Sequence, residues 1–146
     1  MIKITIMDQG VKDMLAKLQQ RVENPKPAFA EIGEIVRSSI IKNFQQSGRP
    51  EKWQPLATAT IKKKRGGAGK TLIDTARLMN SITARAHTDK AVIGTNVIYA
   101  AIHQFGGKAG RGLKATIPER PFLMVQDEDW TPITEAISRY LVGGFK

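Results

Sequence analysis

Thr83-Ala-Arg-Ala-His-Thr-Asp-Lys-Ala-Val-Ile-Gly-Thr95 is the stretch that decides the fold of this chain. Thr83 to Thr88 alternates small or apolar residues with polar ones. Asp89-Lys90 offers a tight reversal, and Ala91 to Thr95 resumes extended character, so the pattern predicts a β-hairpin. The hairpin is flanked on both sides by helical periodicity. Toward the N-terminus, Leu72-Ile-Asp-Thr-Ala-Arg-Leu-Met-Asn-Ser-Ile82 sets Leu78 and Ile82 at i, i+4 and offers Asp74 or Thr75 as a cap, which predicts a short helix. Further back, Phe29, Ile32, Val36, Ile40 and Phe44 hold helical spacing after Pro27, with Gly33 inside the run. Val11, Met14, Leu15, Leu18 and Val22 draw a similar stripe that ends near Asn24-Pro25. Two such helices in succession are expected to pack on each other. Ile2, Ile4 and Ile6 alternate with Lys3 and Thr5, which predicts a short strand, and Asp8 is placed to cap the helix after it.

Toward the C-terminus, Trp130, Ile133, Ile137 and Leu141 repeat at helical spacing on a last helix, whose start carries Asp127-Glu128-Asp129 as complements to its dipole. The expected architecture is α+β: two N-terminal amphipathic helices and a C-terminal helix packed on a small antiparallel β-sheet. Residues 1–146 form one expected domain, with long mobile basic loops near 48–70 and 106–115.

Composition narrows the function. The chain has 146 residues, 41% of them hydrophobic and 25% charged, which is ordinary globular composition. It has no cysteine, so disulfides and thiolate metal sites are excluded. No apolar run approaches the length needed to span a bilayer, and the N-terminus lacks the apolar core of a signal peptide, so an unsecreted protein with no membrane partner is expected. The formal net charge is +10, and much of it lies between Lys42 and Lys70, where eight basic residues meet the single acid Glu51. Such a field attracts polyanions or acidic protein surfaces.

Motifs for chemistry fail on inspection. Gly66-Gly-Ala-Gly-Lys-Thr71 resembles the end of a phosphate-binding loop, but the glycine that should stand five positions before Gly69 is Lys64. His87 and His103 have no carboxylate at metal-ligand spacing, and His103 is expected to hydrogen-bond backbone near Phe105. Asp127, Glu128 and Asp129 point in different directions from consecutive positions. Ser38, Ser39, Ser47 and Ser81 lack the glycine-flanked elbow of a hydrolase. No enzyme, cofactor or metal is nominated.

Two short segments remain, Tyr99-Ala-Ala-Ile-His-Gln-Phe-Gly-Gly107 and Ile117-Pro-Glu-Arg-Pro-Phe-Leu123. Apolar residues (Tyr99, Ile102, Phe105, Ile117, Phe122, Leu123) stand beside Gly106, Gly107, Pro118 and Pro121, with His103 and Arg120 among them, and would anchor a loop by both ends. Tyr99, Phe105 and Phe122 are expected in the core. The loop itself, Gly106 to Lys114, has four glycines and the cations Lys108, Arg111 and Lys114, and such a loop orders against a partner. An earlier basic segment, with Arg49, Lys52, Trp53, Lys62, Lys63, Lys64, Arg65 and Lys70, has three open readings: phosphate contact, an acidic protein partner, or plain solvated charge, with Trp53 only folding the connector onto the core.

Taken in order, Phe44-Gln-Gln-Ser-Gly48, Trp53-Gln-Pro-Leu56, the basic run, Leu72-Ile-Asp-Thr-Ala-Arg-Leu78 with Ser81-Ile82, and the two segments above resemble the phage virion morphogenesis family, the tail completion proteins of tailed phages. The resemblance covers nearly the whole chain and departs at Ala76, where related sequences more often carry glycine. It implies a structural protein that is not an enzyme, acting late in assembly at the tail or head-tail junction, often as a homo-oligomeric ring. Its implied partners are other tail or neck proteins, with DNA in transit as a further contact. Its implied location is the host cytoplasm during assembly and then the virion. A basic nucleic-acid-binding module is the alternative.

Overall fold

The computed structural model describes residues 2–4, 9–66 and 69–143. Helices α1 (Gln9–Glu23), α2 (Lys26–Gln45), α3 (Thr58–Lys63) and α4 (Arg77–Asn80) precede strands β1 (Thr83–Ala86) and β2 (Ala91–Gly94). Then come α5 (Ala100–Phe105), strands β3 (Gly107–Ala109) and β4 (Ala115–Ile117), and α6 (Trp130–Val142). Each strand pair forms its own two-stranded antiparallel sheet, so the fold is α+β.

The central element is α2. It starts at Pro25 and Pro27, where a missing backbone N–H removes no helical bond. Its buried face repeats every three or four residues as Val36, Ser39, Ile40, Asn43 and Phe44. The predicted hairpin is present, with Thr83 opposite Gly94 and Ala86 opposite Ala91. Gly33, a poor helix former, is explained here: a Cβ at this position would stand 3.2 Å from the Cβ of Ala84, so glycine and alanine together let α2 lie close on the hairpin. Around this contact the core gathers Ile40, Phe44, Leu78, Ile82, Phe122 and Ile133. Phe44 sits 5.1 Å from the Phe122 ring and 5.9 Å from Trp53 in an edge contact, arrangements that add about 0.5–1.5 kcal/mol each beyond burial.

Several sequence expectations are corrected. α1 has no buried residue, and it packs chiefly on α6 rather than on α2. Arg21 donates to the carbonyls of Tyr140 at 2.8 Å and Leu141 at 3.1 Å, so polar bonds to the end of α6 hold α1 in place of an apolar seam. On α6 the buried line is Ile133 and Ala136, while Trp130 and Ile137 face outward. α6 rests on α2, and its start is a short 3₁₀ turn, Asp127–Asp129, with a reciprocal capping box between Gln126 and Asp129. The helix expected across 72–82 shrinks to α4. Its N-cap is Ala76 in the left-handed region at φ 60, with no side-chain cap, because Asp74 turns instead to Arg65. A left-handed turn explains why glycine would suit that position. Residues 2–4 form no strand, and Ile2 and Ile4 are exposed. The rest of that expected strand, Thr5 and Ile6, and the Asp8 cap lie outside the described residues.

Candidate assembly interface

The segment from Gly106 to Lys114 is a β-ribbon. β3 and β4 pair Gly107 with Ile117, Lys108 with Thr116 and Ala109 with Ala115, and a 3₁₀ turn at Arg111–Leu113 caps the tip. The chain enters it through Gly106, whose φ 71 and ψ −179 lie in a region open almost only to glycine. A Cβ there would meet the Glu119 nitrogen at 2.8 Å and the Ile117 carbonyl oxygen at 3.0 Å. Glycine is therefore required where the ribbon's two ends come together.

The return segment, Pro118 to Leu123, is clamped from three sides. Arg120 N–H donates to the His103 carbonyl at 2.7 Å. Gln104 Oε1 accepts from both Phe122 N–H and Leu123 N–H at 3.0 Å. Asn43, fully buried on α2, donates to the Phe122 carbonyl at 2.9 Å. Arg120 in turn reaches the Gln54 carbonyl through Nε at 3.2 Å and Nη2 at 3.1 Å. Each bond satisfies a backbone group that burial would otherwise leave unpaired, so the ribbon stands on a rigid footing.

The anchors divide. Phe122 is core, and Ile102 lies under the start of the ribbon, 3.7 Å from where a Gly107 Cβ would be. Phe105 and Tyr99 are not core: Phe105 is 76% exposed and Tyr99 42%. Helix α5 is only six residues long, and its inward face is taken by Ala100, so Phe105 projects outward beside Ile98, which is 99% exposed. The two line one apolar groove of about 310 Å³ with Val97, Ala101 and Leu123. His103 also departs from expectation, because its buried Nδ1 has no hydrogen-bond partner. Burial, and secondarily the charge of Arg120, lower its pKa from the ordinary 6.5 and keep the ring neutral. On the ribbon, Lys108, Arg111, Leu113 and Lys114 are all exposed.

The earlier basic segment is largely tied down. Trp53 is buried and donates from Nε1 to the Pro121 carbonyl at 3.2 Å, so it joins connector to return segment and presents nothing to a partner. Arg49 bonds Asn43 Oδ1 at 2.9 Å and Ser39 Oγ at 2.6 Å, and pairs with Glu128. Ser39 passes the network on to Asp129 at 2.6 Å, and Gln126 closes it by donating to the Arg49 carbonyl at 3.1 Å. Lys52 caps the Gln46 carbonyl, and Lys64 holds the carbonyls of Lys70 and Ile73. Desolvation lowers the Lys64 pKa, against a smaller opposing pull from Asp74. Arg65 pairs with Asp74 at 3.7 Å. Lys62, Lys63 and Lys70 remain exposed cations.

Asn43, Gln104, Gln126 and Asp129, which organise this footing, were not among the residues nominated from sequence. Asn43 could have been found there, since it continues the Val36, Ile40, Phe44 face as a polar member. Gln104 had only its place inside the Tyr99 to Gly106 segment.

The model of the phage virion morphogenesis family matches residues 6–142. The chain belongs to that family. It is 41% identical over 141 residues, 96% of each chain, to Mu-like prophage FluMu G protein 2 of Haemophilus influenzae. It is also 30% identical over 121 residues to the uncharacterized protein MJ0331 of Methanocaldococcus jannaschii, covering 79% of this chain and 80% of that one. No solved structure matches it significantly. As a member of the virion morphogenesis family, the chain has a structural role in phage particles. Among the described residues, no helix is long and apolar enough to cross a membrane, and no cluster of side chains is arranged to hold a metal ion.

Proposed function

We propose that this protein completes the phage tail or the head-to-tail junction as a homo-oligomeric ring, assembling in the host cytoplasm and remaining in the virion. The carrying observation is the Ile98 and Phe105 groove at the foot of the β3–β4 ribbon, an apolar surface left open beside a rigid projecting arm. Large exposed apolar side chains grouped in this way mark surfaces that a partner covers. An adjacent copy seated in the groove, with the ribbon's Lys108, Arg111 and Lys114 reaching across, gives a head-to-tail contact of the kind that closes rings. The nucleic-acid alternative has less support, because Arg49 and Lys64 direct their donors to groups within the chain, Lys52 bonds the Gln46 carbonyl and Arg65 pairs with Asp74.

The test is the double variant Ile98→Ser with Phe105→Ser, supplied in trans to a prophage lacking the gene. Both side chains are exposed, so the variant should keep the wild-type thermal midpoint, yet it should be absent from purified particles and yield few infectious ones. Normal particles carrying the variant would overturn the assignment of this groove.

A further inference from the structure

A second concavity, of about 410 Å³, opens between α3, α4 and α5. Its size is that of a small-ligand site. Lys64, Arg65, Arg77 and Arg120 line it, and Asp74 is its one acid. That acid is already occupied, since Asp74 accepts from the Arg65 backbone N–H at 2.7 Å and pairs with the Arg65 guanidinium. Arg120 is only 5% exposed, and every hydrogen bond it makes through its side chain goes to a backbone carbonyl, while Nη1, which makes none to a described residue, opens to solvent. The exposed Arg77 side chain makes no hydrogen bond or ion pair to any described residue, and the orphaned Nδ1 belongs to His103 on the same wall. A buried guanidinium without a carboxylate is costly unless something supplies the missing negative charge. The remaining wall is mainly apolar, formed by Leu56, Leu72, Leu78 and the Tyr99 ring, with the Thr60 and Thr75 side chains among them.

We propose that this cavity receives a carboxylate borne beside an apolar side chain, on an acidic segment of another virion protein. Arg120 and Arg77 hold the carboxylate as charge-assisted donors, and the leucines and Tyr99 bury the adjoining aliphatic group. The wall chemistry favours this occupant over a nucleic-acid phosphate, which brings no apolar neighbour to fill a leucine-lined floor. That the carboxylate's owner is a virion protein rests on the assembly reading. The chemistry of the cavity does not.

The full chain is titrated by NMR with three probes, N-acetyl-leucine, N-acetyl-leucine amide and inorganic phosphate, following the His103 ring and the Arg120 and Arg77 Nε–H signals. N-acetyl-leucine should shift all three saturably in the millimolar range. The amide should bind at least about tenfold more weakly, as loss of a hydrogen bond to a charged group requires, and phosphate should also be weaker than the acid. Arg77→Gln, which disturbs no internal bond, should reduce the acid's affinity about tenfold and leave the thermal midpoint unchanged. Equal binding of acid and amide, tighter binding of phosphate, or no saturable shift at the three signals would overturn the proposal. Those failures would leave the Ile98 and Phe105 groove untouched, because its own test reads particle incorporation.

Discussion

Replacing Gly106 by alanine should destabilise the protein far more than the same change at Gly112, six positions along the same ribbon. At Gly106, φ 71 and ψ −179 place an alanine in a region that costs of order 1–3 kcal/mol for any residue with a Cβ. The added carbon would also sit 2.8 Å from the Glu119 nitrogen and 3.0 Å from the Ile117 oxygen, both backbone atoms that cannot swing aside. Relieving that crowding costs a further ~1–3 kcal/mol, as overpacking does elsewhere. Against this stands a gain of about 0.4–1 kcal/mol from restricting the unfolded chain. The net loss is about 3 kcal/mol. Gly112 has φ 70 and ψ 21, an ordinary left-handed turn that costs alanine about 1–2 kcal/mol, and the nearest atom to its Cβ would be the Lys114 side chain at 3.8 Å. With the same offset, its net cost is about 1 kcal/mol or less. In urea denaturation with a slope near 2 kcal/mol/M, Gly106→Ala should lower the midpoint by about 1.5 M and Gly112→Ala by about 0.5 M or less, with unchanged slopes. If the two variants unfold together, the claim that the ribbon's footing depends on a close backbone approach at Gly106 is refuted.

Two further outcomes follow from the buried polar groups. Asn43→Ala should cost about 3 kcal/mol by calorimetry, because it orphans the Phe122 carbonyl and removes the Oδ1 acceptor of Arg49 Nε; a loss below about 1 kcal/mol would show that water replaces it freely. For His103, the folded pKa lies below the ordinary 6.5, so below that pH the unfolded chain binds a proton that the folded chain resists. Stability is complete above pH 6.5 and declines as the pH falls toward the folded pKa, with Arg120, Arg77, Lys64, Arg65, Asp74 and Tyr99 as the charged or titratable groups around the same cavity. His103→Gln should flatten the decline in thermal midpoint between pH 7.5 and 5.5 (about one unit either side of that ordinary value), and an identical decline in the variant would remove His103 as its source.

Periodicity made the hairpin at 83–95 and the helices α2 and α6 legible, because each has a face that alternates or repeats against a core. On α6 only part of the predicted stripe turns inward, Ile133 and, half-buried, Leu141. Trp130, Ile133, Ile137 and Leu141 fit one stripe on paper, yet the residues α6 buries are Ile133 and Ala136. Phe105 misled for a related reason. Spacing predicts an aromatic at the end of a short helix in the core, but Ala100 takes the inward face of α5 and Phe122, seventeen residues downstream, supplies the buried aromatic. Tertiary competition of this kind leaves no trace in local spacing. The charge run was the converse case: composition registered cations at 42–70 without their acceptors, and the carbonyls and carboxylates that occupy half of them are brought in by folding.

The same competition separates architecture from assembly in this chain. Its core aromatics, Phe44, Trp53 and Phe122, converge on the return segment 118–123 and fix the ribbon, while Ile98, Phe105 and Leu113 gain nothing from folding and stay exposed. Val11, Leu15 and Val22 on α1 are exposed too, on a helix that Arg21 ties to the end of α6. Of these, Ile98 and Phe105 are grouped on one groove, and it is such grouping, rather than single exposed residues, that marks a surface a partner covers. The proposed assembly would bury these side chains against other virion proteins, while the chain by itself is held by the core around α2 and by the clamped return segment.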